Sequence, residues 1–276
     1  MSSKTNKGGD ARAAAKAKAQ AEVRAKERRT TVMIIAGSVV GLALFAGLIF
    51  FIVNQSKVQP LGADGATAPA AADATGGIPV GSGGVVGEDV PTDATRVDIY
   101  FDFMCPICNQ FEQINADDLD TMRESGEIAL YYHPISILDR ASNGTNFSTR
   151  SAGAAGVVAN DAPAAFHDFV KDMFANQPAE NSDGLSDDQI KQIAIDAGVP
   201  TDVAGKLDSS DMKKWATAAT DQASQDGMQG TPTIRISATG KFADGVIINN
   251  QSDSSSPKVD WSQAGALKSY IEGLKK

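Results

Sequence analysis

Cysteine and histidine are scarce: the 276-residue chain holds two of each. A zinc site takes about four ligands. His133 and His167 fall in different predicted elements, so completing such a set would need carboxylates or a second chain. A disulfide framework is excluded as well. Cys105 and Cys108 stand three positions apart, and a bridge between them would close a loop too short to restrict the unfolded chain. No segment recurs at a fixed period. At 42% hydrophobic residues the chain can still bury a sizeable core, as one large domain or two small ones.

Acidic residues are sparse at one end. Residues 1–29 carry nine Lys/Arg against Asp10, Glu22 and Glu27, about +6, which leaves 16 Lys/Arg against 31 Asp/Glu, about −15, for the rest. Between these regions runs TVMIIAGSVVGLALFAGLIFFIVN, in which residues 32–53 are 22 consecutive uncharged positions. As a helix they would span ~33 Å, enough for a ~30 Å hydrocarbon core. A cleavable signal has an apolar region of only ~7 to 15 residues. The run is therefore read as an uncleaved anchor, with the small residues TAPAAAD at 67–73 keeping later cleavage open. Positive residues stay on the cytoplasmic side, and only Lys57 follows the span before Arg96. The expected organisation is a basic cytoplasmic tail (1–31), a single transmembrane helix (32–53), a flexible linker (54–84) and a folded extracytoplasmic domain (85–276). The linker is expected because 54–84 is rich in Gly, Ala, Pro and Thr, and its ends would sit ~30 Å apart.

Within the domain, VVGEDV at 85–90 reads as a short edge strand and TRVDIYFDFM at 95–104 as a β-rich run ending at the cysteines. Residues 106–124 place Ile107, Phe111, Ile114, Leu119 and Met122 at helical spacing, and EIALYYHPI at 127–135 is a second strand. Such a β-α-β unit within one sheet is parallel. Helices are expected over 145–160, 163–176, 186–198 and 208–227, then a hairpin from 231–236 and 241–249, and a final helix over 260–276. His133 reads as a strand-end packing residue, His167 as a surface or core residue, and Trp215 and Trp261 as core.

Thiols outside the cytoplasm meet an oxidising setting, and this pair is a poor staple, so its chemistry is the better explanation. Cys105 lies where a strand gives way to a helix, where unpaired N–H groups and the positive end of the helix dipole favour a sulfur anion. Pro106 suits the first helical turn. Cys108 lies about one turn on, giving an exposed attacker and a shielded resolver. At the free-thiol pKa of ~8.5 only about 3% of Cys105 would be thiolate at pH 7, whereas at ~5.5 nearly all would be. A buried inert pair is the bland alternative; Pro106 and the strand-to-helix placement argue against it.

FDFMCPIC at 101–108, together with GMQGTPTIRI at 227–236, resembles the DsbA-like branch of the thioredoxin fold. The similarity runs over about 85–276 and implies an α/β thioredoxin-like fold with an inserted helical domain, about 140–227. It implies an extracytoplasmic thiol-disulfide oxidoreductase, with Cys105 and Cys108 as the redox pair and Thr231 and a cis Pro232 beside them. Thr231 could pair with an extended substrate segment by strand addition. Strong oxidases of this family often have His where this chain has Ile107, so Pro106 and Ile107 tune the thiolate without a cationic neighbour. Asp102 is a candidate for proton transfer to Cys108, and an exposed Met104 or Ile107 for contact with unfolded substrates. The expected partners are exported cysteine-containing proteins and a membrane partner that reoxidises the pair. Neither a cofactor nor a nucleic-acid partner is expected. Two alternatives remain open: a disulfide reductase or isomerase, and a binding module for a partner or for Cu(I).

Overall fold

In a computed structural model, the described residues are 60–61, 67–248 and 257–274, together with isolated helical positions between Lys16 and Gly47. The chain divides into two compact units, Met1–Lys57 and Val58–Lys276. Among the described residues no helix is long and apolar enough to cross a membrane; the span expected over 32–53 lies, apart from isolated positions, outside them.

The second unit is built on a five-stranded sheet in the order β1-β3-β2-β4-β5. The central strands β2 (Thr95–Phe101) and β3 (Ile128–Pro134) are parallel, with Ile99 opposite Tyr132. Helix α1 (Pro106–Glu124) joins them, as the length of a parallel crossover requires. All seven β2 residues are buried, the mark of a strand covered on both faces. Strand β4 (Thr233–Ser237) runs antiparallel to β2, and β5 (Val246–Ile248) antiparallel to β4.

The fifth strand corrects two expectations. β1 (Ile78–Val80) pairs antiparallel with β3 and lies inside the segment read as a linker, whereas 85–90 contributes only a single bridge from Val86 to Val80. Composition misled because the glycines serve contact there. A Cβ on Gly77 would meet His133 Nε2 at 2.8 Å, and Asp73 ties the segment to Arg96 at 2.7 Å. Pro79 is tolerated because an edge strand can spare one N–H.

Between β3 and β4 lie α2 (Phe147–Asp161), α3 (Phe166–Ala175), α4 (Asp187–Asp196), α5 (Thr201–Ala204) and α6 (Ser210–Gln225). Small residues let α2 and α6 approach closely: a Cβ on Gly156 would meet the Trp215 ring at 2.9 Å. Aromatic contacts join this block to the sheet, Phe101 to Phe174 at 5.4 Å and Phe103 to Phe169 at 6.4 Å between ring centroids. Trp215 and Trp261 are core residues, as their sequence setting suggested. His133 is buried, with Nε2 at 2.8 Å from Asp98 Oδ1 and its ring stacked on Tyr100. The last helix, α7 (Ala266–Gly273), is shorter than expected and follows Gly265 at φ 77°, where glycine is favoured.

Candidate active site at the start of helix α1

Strand β2 ends at Phe101, and Asp102 to Met104 form the turn that delivers Cys105 to the helix N-cap, with extended φ/ψ of −79° and 114°. The Cys105 N–H donates to the Asp102 carbonyl at 2.9 Å, and the Cys105 carbonyl accepts from the N–H groups of Cys108 at 3.0 Å and Asn109 at 3.3 Å. Pro106 occupies the first turn, where a missing N–H costs nothing. Cys105 and Cys108 are both free and buried.

Cys105 is 6% exposed and Cys108 2%, a smaller contrast than an open attacker over a shielded resolver. The exposed apolar residue of the site is Ile107, at 52%; Met104, the other residue expected to meet substrate, is fully buried. Its side chain belongs to the core that also holds Phe101, Phe103 and Phe111.

The Thr231–Pro232 peptide is cis, and the fold brings it to the cysteines across 126 positions of sequence. As a thiol, Cys105 donates to the Thr231 carbonyl at 3.4 Å. Its pKa is lowered to about 6, chiefly by a hydrogen bond from the Cys108 thiol; burial opposes this, and the Thr231 side chain and the N–H groups of Cys108 and Ile107 add to it. Each of these helix-end amides therefore contributes less than the second cysteine's thiol does. Burial pushes Cys108 the other way, reinforced by its bond to the Cys105 sulfur. One sulfur is thus set up as an anion and its neighbour as a proton-bearing donor.

Asp102 is fully buried, which strand alternation alone left undecided. Its Oδ1 accepts from Met104 N at 2.9 Å and Ser148 Oγ at 2.7 Å, and its Oδ2 from Ile137 N at 2.9 Å and Leu138 N at 3.0 Å. Burial pushes its carboxyl up to about 6 against these four bonds. The carboxylate joins the end of β2, the loop after β3 and the start of α2, and its hydrogen bonds run to these groups rather than to a thiol.

Two further features escaped sequence reasoning. Gln177 Nε2, in the loop after α3, lies 3.0 Å from the Phe103 carbonyl oxygen and 2.9 Å from that of Cys105; nothing local marks a glutamine for that contact. Glu112 stands four residues after Cys108, on the same side of α1. Burial pushes its carboxyl up to about 7, and among the described residues its Oε1 has no hydrogen-bond partner. His167, Asp120 and Lys171 surround it electrostatically, with His167 Nε2 2.8 Å and Lys171 Nζ 3.2 Å from Asp120. The i, i+4 spacing from a cysteine was the available signal for Glu112.

A family model described as Thioredoxin matches residues 87–253, more than half of the chain. The chain belongs to this thioredoxin family. Among solved structures it is similar to the reduced disulfide bond oxidoreductase DsbG of Mycobacterium tuberculosis, with TM-score 0.56 and 27% identity, covering 74% of this chain and 89% of that one. It is also similar to oxidised DsbA of the same organism, with TM-score 0.52 and 26% identity, covering 66% of this chain and 84% of that one. These likenesses agree with the resemblance carried by FDFMCPIC and GMQGTPTIRI. A curated relative, the serine/threonine-protein kinase PknE of Mycobacterium tuberculosis, is 32% identical over 132 residues, 46% of this chain. The chain spans only 23% of the length of that kinase. In this thioredoxin-family chain the matched stretch 87–253 runs from β2 to β5 and includes the helical block between β3 and β4.

Proposed function

We propose that this thiol-disulfide oxidoreductase of the DsbA type is a thiol oxidase, anchored through residues 32–53, that introduces disulfides into exported cysteine-containing proteins. The observation that carries the reading is the opposed tuning of the two thiols: Cys105 lowered to about 6 and Cys108 pushed up by burial. In the oxidised form a substrate thiolate attacks Cys105 Sγ. The Cys105–Cys108 bond breaks, its electron pair passes to Cys108 Sγ, and that sulfur takes up a proton. The second substrate thiolate then attacks the substrate sulfur of the mixed disulfide and expels Cys105 as a thiolate. A stabilised thiolate is a good leaving group, so the exchange runs toward the dithiol enzyme. A membrane partner or a small oxidant restores the disulfide by removing two electrons and the Cys108 proton.

Thr231, with its carbonyl 3.4 Å from Cys105 Sγ, is suited to pair with an extended substrate segment, and the exposed Ile107 offers an apolar contact beside the attack point. The direction of exchange is tested by equilibrating the pair with glutathione. A potential nearer about −120 mV supports the oxidase, and one nearer about −270 mV makes the protein a reductant. If the oxidised form transfers no disulfide to a reduced, unfolded multi-cysteine protein while the dithiol form binds Cu(I) tightly, the enzyme reading fails in favour of a binding module.

A further inference from the structure

The turn that carries Cys105 is held from two sides. From the sheet, Asp102 binds the N–H groups of Met104 and Cys105, through its carboxylate and its carbonyl. From the helical block, Ser148 Oγ reaches the Asp102 carboxylate at 2.7 Å, and Gln177 reaches the backbone that follows it. Gln177 follows α3, its own N–H bonded to the Phe174 carbonyl at 3.1 Å, and its amide nitrogen meets the carbonyls of Phe103 and Cys105 at 3.0 and 2.9 Å. A carboxamide nitrogen carries two hydrogens, so both are spent on the backbone either side of Met104. Cys105 has no side-chain cap of its own. The position of its sulfur therefore depends on how firmly the backbone of this turn is fixed.

The tuning of Cys105 makes that position matter. The thiolate is favoured by groups that must be met at hydrogen-bond range: the Cys108 thiol, the Thr231 side chain and the N–H groups of Cys108 and Ile107. Hydrogen bonds weaken steeply with distance and misalignment, so a small rotation of the turn would weaken several together. Both carbonyl oxygens that Gln177 binds also carry negative partial charge beside the site, and its donors draw on that charge.

We infer that Gln177 is a positioning residue for Cys105: its amide clamps the 103–105 backbone from the helical block and holds the sulfur among the groups that stabilise its anion. The chemistry at Gln177 is specific. A glutamate there has the same length but, when ionised, no donor, and it would set a negative charge against two carbonyl oxygens and near a thiolate. A methionine has similar length and neither donors nor charge.

This inference rests on the oxidoreductase reading only for the exchange rate, so the test reads the thiol separately. The full-length reduced protein and its Gln177→Met and Gln177→Glu variants are titrated by ultraviolet thiolate absorbance. Each is also alkylated with iodoacetamide at pH 6, assayed for disulfide exchange with oxidised glutathione, and melted as a control. The expected result is a Cys105 titration raised by about half to one pH unit in Gln177→Met, with alkylation at pH 6 slowed roughly twofold to fivefold, and a larger rise in Gln177→Glu. A structural role alone would lower the melting temperature and leave the titration in place; that outcome, or alkylation within about 20% of wild type in both variants, overturns the inference. A raised titration in the variants, with a wild-type disulfide that is not passed to any thiol substrate, supports the clamp and removes the oxidase reading.

Discussion

Removing the Cys108 thiol is the most direct test of how Cys105 is activated. The hydrogen bond from Cys108 is the largest influence holding Cys105 at about 6, a value that makes the sulfur roughly nine-tenths thiolate at pH 7. A hydrogen bond to a charged group contributes about 1.5 to 3 kcal/mol, and each pH unit corresponds to 1.36 kcal/mol. Cys108→Ala therefore moves the Cys105 titration upward by about one to two pH units, and the thiolate fraction at pH 7 falls to between roughly 10% and 50%. Cys108→Ser keeps an O–H donor and moves it less. The assay is ultraviolet thiolate absorbance against pH, supported by iodoacetamide alkylation between pH 5 and 8, where the single remaining thiol leaves the signal unambiguous. If Cys108→Ala titrates at the wild-type position, the hydrogen bond is not what lowers Cys105, and the helix-end amides together with Thr231 must carry the whole effect.

Two other perturbations separate charge from architecture. Glu112 is raised by burial to about 7 from an ordinary 4.5, so the folded protein holds a proton that the unfolded chain releases. Stability is then fully present below about pH 4.5 and is lost progressively as pH rises from there through 7, by roughly 3 kcal/mol. Glu112→Gln should flatten that loss in urea midpoints measured between pH 4.5 and 8; parallel curves for variant and wild type would remove the effect. Asp102→Asn sets an amide where four donors converge on a carboxylate. It should destabilise the protein by about 2 to 4 kcal/mol in urea unfolding, with the Cys105 titration within about half a pH unit of wild type. A changed pH profile of disulfide exchange at preserved stability would instead return Asp102 to the proton-transfer role.

Local signals were sufficient for α1, whose bounds at 106 and 124 follow from a proline at its start and apolar residues at helical spacing. They were sufficient for β2 and β3, whose β-rich runs needed no knowledge of partners. They failed at β1, because three residues among glycines, alanines and prolines carry no periodicity, and only the meeting of Gly77 with His133 shows why glycine is there. At 241–249 they found the antiparallel partner of β4 but not its extent, because a 3₁₀ turn over Phe242–Asp244 leaves only Val246–Ile248 as strand.

The candidate site divides in the same way. The sequence by itself determined the pair Cys105 and Cys108, the helix that starts between them, and, through GTPT, the segment that would stand opposite, because each is written in adjacent residues. Tertiary structure alone decided that Asp102 points into a nest of four donors, that Met104 is core while Ile107 is exposed, and that Gln177 reaches the Cys105 carbonyl from 72 positions away. The physical reason is range. Propensity and periodicity act over one or two helical turns, whereas the groups that set a thiol's proton affinity act through contacts of about 3 Å between segments that meet only once the whole domain has folded.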